Sequence, residues 1–231
     1  NDNETLIIGT SGRYEFKNKG INVFLEAMSR LNNDENLQKK VLAFVNVPAW
    51  VVGPREELQQ RMASKKTFGT PLDFPFITHW LHNMEHDNVL GMLGHLGMNN
   101  RAEDKVKVIF VPCYLDGNDG IFNKHYYDVL LGQDLSVYPS YYEPWGYTPL
   151  ESVAFKVPTV TTDLAGFGIW VNGLKNQHGI DDGVEVIHRS DYNYFEVADA
   201  IKDTVSEFSA LKESEIKKIR KNAADIAEKA L

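Results

Sequence analysis

Val137-Tyr-Pro-Ser-Tyr-Tyr-Glu-Pro-Trp-Gly-Tyr-Thr-Pro-Leu-Glu151 decides how this chain is read. Apolar Val137-Tyr138 ends a strand, Gly146 lies in a turn, and Pro149 is a preferred first residue of a helix. A strand feeding a helix through such a turn presents backbone N–H groups at the helix N-terminus, which is where anions bind. Two carboxylates, Glu143 and Glu151, flank that turn. The anion suggested is a nucleotide phosphate, with the carboxylates placed to grip sugar hydroxyls beside it.

Outward from this stretch, short apolar runs alternate with helical patterns, the mark of βα units and a parallel sheet. The expected strands are Thr5–Gly9, Lys40–Val47, Val106–Pro112, Asp134–Tyr138, Thr159–Thr162 and Val184–Ile187. Their near-continuous apolar character suits strands covered on both faces. Helices are expected at Lys19–Leu31, Pro54–Met62, His79–Leu96, Lys124–Leu131, Pro149–Phe155, Tyr194–Phe208 and Ser214–Ala230. In the first, Val23, Phe24, Ala27, Met28 and Leu31 recur at helical spacing and make one core face. Residues 49–104 interrupt the alternation with about two helices and a Pro-rich aromatic loop, and read as a helical insertion. The fold class is therefore α/β, a Rossmann-like doubly wound parallel sheet carrying that insertion. Ligands of such sheets bind outside the carboxyl ends of the strands.

The 231 residues can bury one sizeable core. A net charge of −8 argues against a broad nucleic-acid surface. No apolar run is long enough to span a membrane, and the N-terminus has no signal-peptide pattern. The lone cysteine, Cys113, excludes an intrachain disulfide and suits a reducing compartment, so a cytoplasmic location is expected. A chain that enters a strand at Thr5 without an initiating Met reads as a domain excised from a longer protein.

Tyr138–Pro149 resembles the signature of the animal and fungal type of glycogen synthase. Gly12-Arg-Tyr-Glu-Phe-Lys-Asn-Lys-Gly20 and Asp163-Leu-Ala-Gly-Phe-Gly168 agree with it in the same order. The resemblance implies the C-terminal, donor-binding half of a GT-B glycosyltransferase. The whole enzyme would pass glucose from UDP-glucose to the end of an α-1,4-glucan (glycogen) with retention, the acceptor side coming from an N-terminal domain absent here. It implies roles for Arg13 and Lys19 on the donor diphosphate, Glu143 beside the transferred sugar, and Glu151 on the ribose hydroxyls. It also implies Tyr126 against the base, with Tyr127 one residue away as the competing register. Tyr147 and Thr148, after Gly146, would offer N–H groups to the distal phosphate.

Each of these residues also has a plainer reading. Arg13 and Lys19 can be a solvated surface pair. Thr148-Pro-Leu-Glu151 can be a capping box, with Glu151 reaching back to Thr148. Gly166 and Gly168 can be an ordinary turn after a strand, or can let backbone approach a ligand closely. His79, His82 and His86 would share a helix face, where packing competes with a metal site. Cys113 reads as a small core hydrophobe. No Asp-x-Asp triplet occurs, so no metal or other cofactor is expected, the positive potential coming from Arg13, Lys19 and a helix end. Alternatives left open are another retaining GT-B transferase with a different donor or acceptor, and a non-catalytic nucleotide-sugar-binding module. Homo-oligomer assembly is open too, although the insertion is much shorter than that of the animal and fungal enzymes; the downstream arginine cluster with which they sense glucose 6-phosphate has no counterpart in Leu211–Leu231, so that regulation is not expected.

Overall fold

In the computed structural model, residues 4–64, 66–174 and 179–230 are described. The strands are β1 (Thr5–Ser11), β2 (Lys40–Asn46), β3 (Val51–Pro54), β4 (His79–Leu81), β5 (Val106–Val111), β6 (Leu135–Val137), β7 (Thr159–Thr162) and β8 (Val184–Ile187). The helices are α1 (Ile21–Asn32), α2 (Glu56–Ala63), α3 (Asn88–His95) and α4 (Tyr126–Leu131) in the first part of the chain. They continue as α5 (Tyr147–Ala154), α6 (Gly166–Leu174), α7 (Tyr194–Ser209) and α8 (Glu213–Ala230).

Six strands form one parallel sheet in the order β5-β2-β1-β6-β7-β8. Chain order runs outward from β1 in one direction through β2 and β5, then restarts beside β1 with β6. The reversal makes a switch point between β1 and β6, the place where doubly wound sheets bind ligands, and the loops leaving those two strands meet there, Tyr141 N–H donating to Asn18 O at 2.8 Å. Register places Ser11 opposite Asn46 and Asn46 opposite Val111, so three strands end level there.

Covering helices bury the strands as the apolar pattern requires. The stripe on α1 (Ile21, Phe24, Leu25, Met28, Leu31) is buried against the sheet and α7, whose Val197, Ile201, Val205 and Phe208 are buried too. Each such side chain contributes roughly 1.5–3 kcal/mol on leaving water. A smaller cluster on the other part of the sheet joins Val153, Phe167, Val171, Val184, Ala223 and Ile226. The C-terminal stripe on α8 thus docks on the sheet domain itself. Gly183, at φ 90°, admits the backbone of Ala223 where any Cβ would overlap it.

Residues 49–104 differ from the expected helical insertion. Two short helices are there, but β3 and β4 pair antiparallel beside them. The helix expected over His79–Leu96 is only Asn88–His95; His79–Leu81 is strand. Two local demands outweigh the helical spacing of the apolar residues. Asp87 takes the N-cap position and accepts from Leu90 N at 2.9 Å, which starts the helix at Asn88. His79 is buried, with Nδ1 bonded to Thr78 Oγ1 at 2.8 Å and Nε2 facing Asp119 O at 2.8 Å. A carbonyl only accepts, so Nε2 carries the proton and donates. His82 instead stacks on Trp50 with ring centroids 4.2 Å apart. The shared helix face expected for His79, His82 and His86 therefore does not exist.

Candidate functional site

Above the switch point lies a cavity of about 320 Å³, lined by Gly12, Asn46, Tyr114, Tyr126 and Thr148 among others. Gly12 follows β1, Asn46 ends β2, Tyr114 follows β5, Tyr126 opens α4 and Thr148 sits in the first turn of α5. The fold thus brings two expected site residues, Tyr126 and Thr148, to one hollow. Asn46 and Tyr114 were not legible beforehand. Each is an unremarkable residue at a strand end, and only the sheet order reveals that their strands end level.

Beside the cavity, Lys19 Nζ forms an ion pair with Glu143 Oε2 across 124 residues of sequence. Their side chains are 15% and 18% exposed, so neither is an ordinary solvated surface charge. Gly20, at φ 70°, starts α1 directly after Lys19; a Cβ there would overlap the carbonyl of Pro139. Glu143 is held by its backbone: its N–H donates to Leu164 O at 3.3 Å and its carbonyl accepts from Gly166 N at 3.0 Å. Gly166 is the first residue of α6, with no positive φ, and a Cβ on it would overlap the carbonyl oxygen of Pro144. The close backbone approach that this glycine permits is therefore to the signature loop, which it clamps. Asp163-Leu-Ala-Gly-Phe-Gly168 leads into a helix that the sequence reading did not place.

Entry into α5 departs from the expected capping box. Gly146, at φ 109°, is the N-cap, and no side chain caps the helix. Thr148 and Glu151 are therefore two residues further along than that reading requires. Freed from capping, Glu151 accepts from the Tyr127 hydroxyl at 3.2 Å. Glu143 lies alongside, its Cγ 3.6 Å from the position a Cβ on Gly146 would take. The helix end is thus open to an anion, with Lys19 and the two glutamates around it.

The two adjacent tyrosines separate cleanly. Tyr126 lines the cavity and its hydroxyl bonds Ser11 Oγ at 2.8 Å; burial, with Tyr138 near it, raises its pKa, so it stays protonated. Tyr127 stacks on Phe155 at 5.1 Å, outside the cavity lining. Arg13 pairs with Glu15 at 3.0 Å and is 79% exposed, which fits the solvated reading of this residue. Cys113 is buried at the cavity wall, and burial with Asp119 and Asp116 nearby pushes its thiol up to about 12.

His79, Cys113 and Asp119 bring three potential metal-ligand atoms within 4.8 Å of one another. Both ring nitrogens of His79 are already bonded, and the Asp119 carboxylate accepts from Ile121, Phe122 and Asn123 N at 2.8–2.9 Å. The cluster therefore works as a turn-fixing network.

The glycogen synthase family model matches residues 1–66 and 52–228, nearly the whole chain. The chain belongs to the glycogen synthase family. It is 29% identical over 241 residues to the glycogen [starch] synthase of Neurospora crassa, covering 80% of this chain and 34% of that protein. It is 31% identical over 217 residues to the mouse liver glycogen [starch] synthase, covering 73% of this chain and 31% of that one. The chain thus spans about a third of the curated relatives it matches. Among solved structures, an α,α-trehalose 6-phosphate synthase from Burkholderia multivorans superposes with a TM-score of 0.57 at 10% identity, over 98% of this chain and 39% of that one. At that identity the likeness speaks for the α/β sheet fold alone.

Proposed function

We propose that this chain is the donor-binding domain of a glycogen synthase-like enzyme that transfers glucose from UDP-glucose to the non-reducing end of an α-1,4-glucan with retention. In the reaction the bond from glucose C1 to the diphosphate oxygen breaks and a bond from C1 to the acceptor 4-oxygen forms. The acceptor proton passes to the departing phosphate, and UDP leaves. A second domain of the same enzyme would carry the acceptor and close the cleft, so the chain alone should bind UDP without useful turnover.

The Lys19–Glu143 pair at the open N-terminus of α5 is the observation that supports this reading most. As the C1–O bond stretches, negative charge grows on the diphosphate and positive charge on the sugar ring. A fixed cation and a fixed carboxylate held side by side can each meet one end of that separation, and they interact more strongly with it because both are largely withdrawn from water. In this scheme Glu143 positions and stabilises the sugar, and Lys19 with the N–H groups of Tyr147 and Thr148 holds the phosphates. Arg13 would swing from Glu15 onto the donor, and Glu151 would accept from the ribose hydroxyls. Tyr126 would wall the base. The scheme needs no metal ion.

A cytoplasmic location fits these substrates; among the described residues no helix is long and apolar enough to cross a membrane. The test is complementation in a cell lacking the full-length parent. Wild type should restore α-1,4-glucan synthesis, and Glu143→Ala should not, although its UDP affinity stays within a few-fold. Restored polymer with Glu143→Ala would sink the assignment. Faster turnover with a donor carrying another base would move it to a different transferase.

A further inference from the structure

Asn46 is 6% exposed, yet neither its Nδ2 nor its Oδ1 has a hydrogen-bond partner among the described residues. Three other residues leave one buried side-chain atom unbonded, namely Asn22, Gln133 and Thr161, and none of them lines the cavity above the switch point. Asn46 leaves both of its polar atoms unbonded, and it does line that cavity. Buried carboxamides in folded proteins are almost always bonded, so an unpaired one beside a hollow marks a place where something else supplies the partner.

We infer that Asn46 reads the edge of the nucleobase in a bound nucleoside diphosphate. The assignment rests on the donor-site reading above and adds a specificity residue to it. The chemistry of the hollow selects a base over a phosphate. Pro48, Cys113 and Leu115 give it apolar walls, Asp116 adds an acidic one, and no Lys or Arg lines it. A flat neutral heterocycle suits those walls; a diphosphate does not. Thr148 lines the same hollow, so a nucleotide whose ring lies against Asn46 can run its phosphates to the open end of α5. Two of the hydroxyls lining the hollow, those of Ser11 and Tyr126, are committed to each other at 2.8 Å. The carboxamide offers one acceptor and two donors. The imide edge of uracil is its complement: N3–H donates to Oδ1, and a ring carbonyl accepts from Nδ2.

The experiment is nuclear magnetic resonance titration of the nitrogen-15-labelled chain. The Asn46 side-chain signal is identified by its loss in Asn46→Leu. Three probes are used: UDP, its N3-methyl derivative, and inorganic pyrophosphate. UDP should shift the Asn46 side-chain signal and pyrophosphate should not. Wild type should bind the N3-methyl derivative at least roughly 10-fold more weakly than UDP, since a site built for a hydrogen bond is left with unpaired groups when the ligand lacks it. Asn46→Leu should bind the two alike. Where that variant fails to fold, the isosteric Asn46→Asp and the wild-type shift carry the test. Retained discrimination in a folded variant, or an Asn46 signal that UDP leaves unmoved, overturns the assignment while UDP binding stands. Absence of saturable binding by both UDP and pyrophosphate overturns the donor site and this assignment together.

Discussion

Arg55 and Asn46 are both buried polar residues, in the insertion and at the end of β2 respectively, and they are treated in opposite ways. Arg55 is 1% exposed; its guanidinium donates to Asp73 O at 2.6 Å, Phe74 O at 2.7 Å, Ile77 O at 3.2 Å and Glu57 Oε1 at 2.8 Å. It also lies over the Trp80 ring, 4.3 Å from its centroid. Asn46 has no side-chain partner at all among the described residues. Helix ends repeat the contrast: α3 is capped by Asp87, while α5 begins at Gly146 with no side-chain cap. Polar groups in the insertion are satisfied internally and hold structure. Asn46 and the N-terminus of α5 are left open, and the proposed donor would complete them.

This contrast predicts which substitutions cost stability and which cost function. The largest effect belongs to Glu143. In the full-length enzyme Glu143→Gln should lower kcat by about 100- to 1,000-fold, the range for losing one preorganised electrostatic contact, with little change in the unfolding midpoint. A turnover loss under 10-fold would put Glu143 on the structural side of the comparison. Arg55→Leu should do the reverse. It removes four hydrogen bonds, leaves the buried Ile77 carbonyl without its Arg55 partner, and should destabilise the chain by about 3 kcal/mol in urea unfolding, with UDP affinity in the surviving folded fraction retained. Asp87→Ala should cost about 1 kcal/mol through the lost cap of α3. An equal loss from Thr148→Ala would show that α5 is side-chain capped after all.

A smaller effect concerns pH. Because burial raises the Cys113 thiol from 9.0 to about 12, the fold favours the protonated form. Its contribution is whole below pH 9 and declines as pH rises from 9 toward 12. Alkylation by iodoacetamide near pH 8 should accordingly be far slower than in the urea-unfolded chain. Equal rates would mean that the wall beside Asn46 opens readily.

What could be read beforehand divides along the same line. The six sheet strands and the signature loop were legible because their cues are local: apolar runs flanked by Gly and Pro, with Gly146 and Pro149 fixing a turn into a helix. The insertion was not. Its strand β4 has three residues and exists through pairing with β3, while the apolar spacing over His79–Leu96 imitates one long helix. The expected capping box failed because Gly146 already ends the turn two residues ahead of Thr148. Lys19 and Glu143 were named individually, but their pairing spans 124 residues and needed the fold. Asn46 carried no local signal, since its neighbours arrive from the ends of other strands.

The proposed function stands on a diphosphate site built from Lys19, Arg13 and the end of α5 without a metal. Calorimetric titration of the chain with UDP in EDTA, beside an Arg13→Ala/Lys19→Ala variant, tests it most directly. Binding should saturate, survive EDTA and disappear in the variant; binding that requires a divalent ion would overturn the metal-free site.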